Sequence, residues 1–176
     1  MGAKSVNGVK LSQSPEIENF WQDYLSSLSD EERKNVPEYL VDDFADTPEA
    51  ATKVGKLVRD GIKTTTSSLL WGLEHGGEPL PKVGEISVVV DGNGNPLCVI
   101  EMMEVEIRPF NMVGEQFAFE YGEGERTLAS WLSDTWDFHS RWCREIGREP
   151  SETMPLVFQR FRLLYPQNKQ RLNEKS

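Results

Sequence analysis

The segment from Glu85 to Arg108 sets the tightest limit on the fold. Glu85–Val90 (EISVVV) is a strand-like run, Asp91-Gly92-Asn93-Gly94-Asn95-Pro96 is a cluster of turn formers, and Leu97–Arg108 (LCVIEMMEVEIR) alternates in part. That order predicts a strand, a hairpin-type turn and a long second strand. An isolated hairpin is marginal in water, so the rest of the chain has to cover it. Leu156–Tyr165 (LVFQRFRLLY) predicts a closing strand.

Three helices are legible around these strands. Ser14-Pro15-Glu16 offers an N-cap followed by proline at N1, and Ile17, Phe20, Trp21, Tyr24, Leu25 and Leu28 then recur with helical period. Thr47-Pro48-Glu49 starts a second helix, with Val54, Leu57 and Val58 on its buried face and Gly61 as its stop. Thr127 starts a third, carrying Leu128, Trp131, Leu132, Phe138, Trp142 and Ile146 and stopping at Gly147. Residues 38–46 read as a connector, His75–Pro79 as a loop, and 109–126 as irregular. Residues 1–13 and 166–176 read as polar tails around one domain over 14–165. Helices, strands, a helix and a strand in this order give an α+β domain, a small β-barrel with helices packed on it.

Composition narrows the function classes. The chain has 176 residues, 19 Lys+Arg against 29 Asp+Glu, and a formal net charge of −10. A generally sticky polycation is excluded, and any nucleic-acid contact must come from a local basic patch working against the net field. No apolar run approaches the ~20 residues of a membrane span, and no secretory leader is apparent. A cytoplasmic protein without membrane contact is therefore expected. Cys98 and Cys143 are far apart and form no CxxC, which fits reduced thiols. His75 and His139 lack metal-ligand spacing, so no zinc site and no cofactor are expected. The many acids leave a divalent cation such as Mg²⁺ open, and the oligomeric state is open as well.

Three features could carry chemistry. Gly61-Ile62-Lys63-Thr64-Thr65-Thr66 puts a lysine just past a helix stop and follows it with hydroxyls. Such a group binds an oxyanion or, with a depressed lysine pKa, activates a hydroxyl. It also reads as a plain helix end and strand start. Lys53, Lys56 and Arg59 recur along the second helix with Lys63 just beyond, a stripe for phosphates or simply a solvated face. Glu115, Glu120, Glu123 and Glu125 fall in one short segment with no base. One of these carboxylates facing Lys63 would make an acid-base constellation. Trp131, Trp136 and Trp142 fit helix packing better than a base-stacking platform.

Taken together, these residues resemble the ASCH domain family of the PUA-like superfamily. The matching pieces are Leu57 to Ser67 (LVRDGIKTTTS), Leu80-Pro81-Lys82-Val83-Gly84-Glu85, Pro96 to Glu101 (PLCVIE), and Phe117 to Leu128 (FAFEYGEGERTL) with Trp131 after it. They span most of the chain and resemble the longer bacterial branch. The resemblance implies a partly open β-barrel with flanking helices and a cleft beside the GxK loop. It further implies RNA or nucleotide binding, with ribonuclease activity in some members. A short-chain branch hydrolyses N4-acylated cytidine through a lysine, a threonine and a glutamate. By position these are Lys63, Thr66 and Glu123, with Glu120 second for the glutamate. Lys53, Lys56, Arg59, Lys63, Thr64 and Thr65 would contact RNA, nucleotide or nucleoside in the cleft. A non-catalytic ligand-binding module is the third reading. This chain carries Tyr121 where an acid is expected, and Trp136 where longer relatives carry His.

Overall fold

The computed structural model describes residues 14–166. The chain runs α1 (Pro15–Ser26), α2 (Asp30–Lys34), β1 (Tyr39–Asp42), α3 (Pro48–Arg59), β2 (Thr65–Leu69), α4 (Leu70–Gly76) and β3 (Ile86–Val90). It continues through β4 (Pro96–Pro109), a 3-10 turn (Phe110–Met112), α5 (Glu115–Glu120), α6 (Leu128–Glu145) and β5 (Pro155–Tyr165). The readings of 1–13 and 167–176 lie outside the described residues.

Five strands form one sheet in the order β1-β3-β4-β5-β2. β3 and β4 make the expected antiparallel hairpin, with Val88 opposite Val99. The Asp91 carboxylate stitches the turn by accepting from the Asn93 and Asn95 backbone at 2.8 and 2.9 Å. β4 is long because it serves two partners. Its first part pairs with β3, and from Val99 to Pro109 it pairs with β5. β5 then holds β2 on its other side. β1 and β2 end the order, so the sheet curls without closing. This is the α+β, PUA-like architecture of a partly open barrel.

Burial on both faces explains why β3 is apolar apart from Ser87. Val88 and Val90 pack with Ile17, Trp21 and Tyr24 of α1. Val89, one residue out of phase, packs with Val54 and Val58 of α3 and with Phe161. A third cluster fills the space between β5 and the later helices. There the rings of Phe117, Tyr121, Trp131 and Phe158 meet, with Phe117 and Phe158 centred 5.0 Å apart edge to face. Trp131 and Trp142 are buried in this cluster and Trp136 packs half-buried against it.

Four segments carry structure that the sequence did not predict. Within 38–46, Tyr39–Asp42 is a strand, parallel to β3. Four residues, one of them an acid, give no period, and their partner lies far along the chain. Asp30–Lys34 is a short polar helix held by a Ser29–Glu32 capping box, not by a buried face. His75 and Gly76 close α4 rather than open a loop, and Gly77 caps it with φ 66°. Residues 109–126 include α5, whose six residues are too few to show a helical repeat.

Phe158 joins the sheet to α5 and α6 and is almost fully buried. Phe158→Ala is expected to cost about 3–5 kcal/mol and to lower the urea midpoint at unchanged slope. A loss below about 1 kcal/mol would contradict this packing.

Candidate active site

The turn after α3 decides where Lys63 goes. The amides of Ile62 and Lys63 both donate to the Leu57 carbonyl, at 2.9 and 3.1 Å, around Gly61 with φ 72°. This leaves Ile62 exposed and turns Lys63 inward. Two backbone bonds then fix the next residue. Thr64 N–H donates to Glu120 O at 2.9 Å, and Phe161 N–H donates to Thr64 O at 3.0 Å. The α5 end is thereby laid across the lysine. The approach is so close that a Cβ on Gly122 would stand 2.7 Å from Ile62 O and Lys63 Cα. With φ 74° there as well, only glycine fits.

Lys63 is fully buried, with 0% exposure. Its Nζ lies 2.8 Å from Glu123 Oε1, donates to Tyr121 O at 3.2 Å, and sits 3.4 Å above the Tyr121 ring centroid. Carboxylate, carbonyl and ring face replace the water that burial removed. Burial presses the Lys63 pKa down, and the nearby Glu123 carboxylate only partly offsets it, so the net shift is downward. Burial also pushes Glu123 up, but here the Lys63 ammonium wins and holds the carboxyl below its usual range.

Hydroxyls surround the pair. Thr65 donates from Oγ1 to Phe117 O at 3.1 Å. Thr66 is buried, and its hydroxyl lies within hydrogen-bonding reach of the Tyr121 phenol, as does that of Ser67. Burial first, and Glu123 second, push the phenol pKa far up, so it stays protonated. Beyond Ser67, Oγ meets His139 Nε2 at 3.3 Å. Burial presses His139 down to about 3, so this imidazole stays neutral near pH 7.

The remaining candidates go elsewhere. Glu120 forms its ion pair with Arg160 and is also held by Gln116, not by Lys63. Lys53 and Lys56 are exposed on α3, and neither forms an ion pair among the described residues. Arg59 pairs with its neighbour Asp60 at 3.0 Å. The basic stripe is therefore split, with Lys63 facing the interior and the others facing outward.

A cleft of about 390 Å³, counting solvent at its mouth, opens beside the pair. Tyr121 and Glu123 form one wall, and Ser130, Trp131, Asp134 and Phe138 of α6 form the other. Sequence reading missed Tyr121, Ser130 and Asp134. The available signal was the spacing of Ser130 and Asp134, one helical turn apart on the face that follows the acidic segment. Among the described residues, no group of three or more His, Cys, Asp or Glu could hold a metal ion, and no helix is long and apolar enough to cross a membrane.

An α+β sheet that curls without closing, with a buried lysine at a helix-to-strand turn beside a cleft, defines a PUA-like domain. Residues 41–165 match the ASCH domain family, and the chain belongs to that family. It is similar to the crystal structure of an ASCH domain from Lactobacillus crispatus JV V101. That likeness has 33% identity and TM-score 0.81, and covers 90% of this chain and 100% of that one. It is also similar to the crystal structure of a protein from Enterococcus faecalis V583. There identity is 30% and TM-score 0.70, over 92% of this chain and 93% of that one. No curated protein matches the chain.

Breaking a buried pair leaves one charge uncompensated. Glu123→Gln is expected to destabilise the fold by about 3 kcal/mol at pH 7. A lowered carboxyl pKa stabilises above the unfolded value of about 4.5, and that stability is lost as pH falls through the lower folded value. The gap between wild type and Glu123→Gln in chemical denaturation should therefore be full at pH 7 and shrink below about pH 4.5. A gap that does not change with pH would contradict the pairing.

Proposed function

We propose that this ASCH domain is an amidohydrolase acting on uncharged, N4-acylated cytidine-type nucleosides. The observation that carries the reading is the Lys63–Glu123 pair, 2.8 Å apart, with Lys63 fully buried and Glu123 lining the cleft. A phosphate could not reach that ammonium without displacing Glu123 and stripping its own hydration. An uncharged nucleoside meets no such barrier.

In this reading the Thr66 hydroxyl attacks the acyl carbon. The bond from Thr66 Oγ to that carbon forms as the carbon–nitrogen bond breaks. Lys63 first passes its proton to Glu123 across the 2.8 Å contact, and the amine so formed, the form that burial favours, takes the hydroxyl proton. Glu123, now carrying the proton received from Lys63, passes it to the departing exocyclic amine, and the pair returns to ammonium and carboxylate. Water then cleaves the Thr66 ester, releasing the carboxylic acid and restoring the hydroxyl. The Tyr121 phenol, within reach of Thr66 and lining the cleft, holds that hydroxyl in place until substrate arrives.

Exposed Lys53 and Lys56 support a second reading, in which α3 contacts RNA or a nucleotide and ribonuclease activity follows. Turnover and salt separate the two. Purified protein should release cytidine from N4-acetylcytidine, and Lys63→Ala, Thr66→Ala and Glu123→Gln should each lose at least about 100-fold in kcat. Turnover should change little between 50 and 200 mM salt, which are chosen to bracket phosphate-driven binding. No nucleoside turnover, together with cleavage or steeply salt-sensitive binding of a short single-stranded RNA lost in a Lys53→Ala/Lys56→Ala double variant, would overturn the first reading in favour of the second.

A further inference from the structure

The wall opposite Glu123 carries the cleft's selectivity. Ser130 and Asp134 stand one turn apart on α6 and both line the cleft. They close on the backbone just after Glu123: a Cβ on Gly124 would lie 3.2 Å from Ser130 Oγ and 3.4 Å from Asp134 Oδ2. Asp134 is exposed at the cleft and forms no ion pair among the described residues. Glu123 is neutralised by Lys63 at 2.8 Å, so among the described residues Asp134 is the lining carboxylate that no ion pair offsets, and no cation lines the cleft. Trp131 lines the same space, and its buried indole N–H has no acceptor among the described residues. The wall therefore offers acceptors on Asp134 and Ser130.

We infer that Asp134, supported by Ser130, is the specificity-determining residue of the cleft. Its carboxylate accepts from amino or hydroxyl donors of an uncharged nucleoside and repels ligands that bear a phosphate. The inference rests on the nucleoside reading above and adds to it a named residue that sorts nucleosides from nucleotides. Two like charges a few ångströms apart in a partly wet cleft are worth roughly a tenfold difference in affinity.

Calorimetric titration tests this with N4-acetylcytidine and its 5′-monophosphate, at low salt and neutral pH, every protein compared, wild type at 130 and 134 included, carrying Thr66→Ala to prevent turnover. Wild type is expected to bind the nucleoside at least about tenfold more tightly. Asp134→Asn should shrink that ratio severalfold, and Asp134→Lys should erase or invert it. Ser130→Ala should weaken the nucleoside and leave the ratio near that of wild type. Asp134 is exposed, so both of its variants are expected to fold, which circular dichroism checks. Nucleoside binding with no discrimination in wild type, or a ratio that Asp134→Lys leaves unchanged, would overturn the role of Asp134 alone. Failure of wild type to bind either ligand would overturn the nucleoside reading and this inference with it.

Discussion

Everything at the cleft depends on one buried ammonium. An isolated charge of that kind costs several kcal/mol to bury, and Lys63 is tolerated because three groups converge on it. Glu123 supplies the countercharge, Tyr121 O accepts a hydrogen bond, and the Tyr121 ring lies beneath the nitrogen. Remove the pairing and the lysine must either deprotonate or pull the turn open. The geometry of α5, of the connector to α6 and of the start of β2 therefore follows from keeping that charge satisfied.

The fold delivers these groups from separate parts of the chain. Lys63 comes from the turn between α3 and β2, and Glu123 from the connector between α5 and α6. β2 is the last strand in the sheet order, so one of its edges is left without a strand partner. α5 docks beside it through Thr64 N–H on Glu120 O and Thr65 Oγ1 on Phe117 O. A paired strand there would have left no room for the connector. Gly122, which lies against the backbone of Lys63, lets that connector approach closely enough for Glu123 to reach the lysine.

Much of this arrangement was legible from local signals. The β3–β4 hairpin announced itself through turn chemistry, α1, α3 and α6 through caps and period, and β5 through its apolar run. Lys63 stood out because a lysine just past a helix stop, followed by hydroxyls, can present an ammonium and OH groups into a cleft. What stayed hidden depends on distant partners. β1 is four residues whose strand character comes from β3, and α5 is one and a half turns whose burial comes from Phe158 and Trp131. The choice between Glu120 and Glu123 could not be made from spacing, because it turns on Arg160, a β5 residue that captures Glu120. Tyr121 stood in the sequence as a departure from an expected acid. Only the folded chain places its ring under the ammonium and its phenol beside Thr66.

The central claim is that Lys63 titrates as a buried amine coupled to Glu123, and NMR of the lysine ammonium nitrogens tests it most directly. In protein labelled with ¹⁵N at lysine Nζ, one resonance, assigned by its loss in Lys63→Ala, should titrate below the ordinary lysine range, and Glu123→Gln should move it lower still. A Lys63 resonance that titrates in the ordinary lysine range, unmoved by Glu123→Gln, would contradict the account.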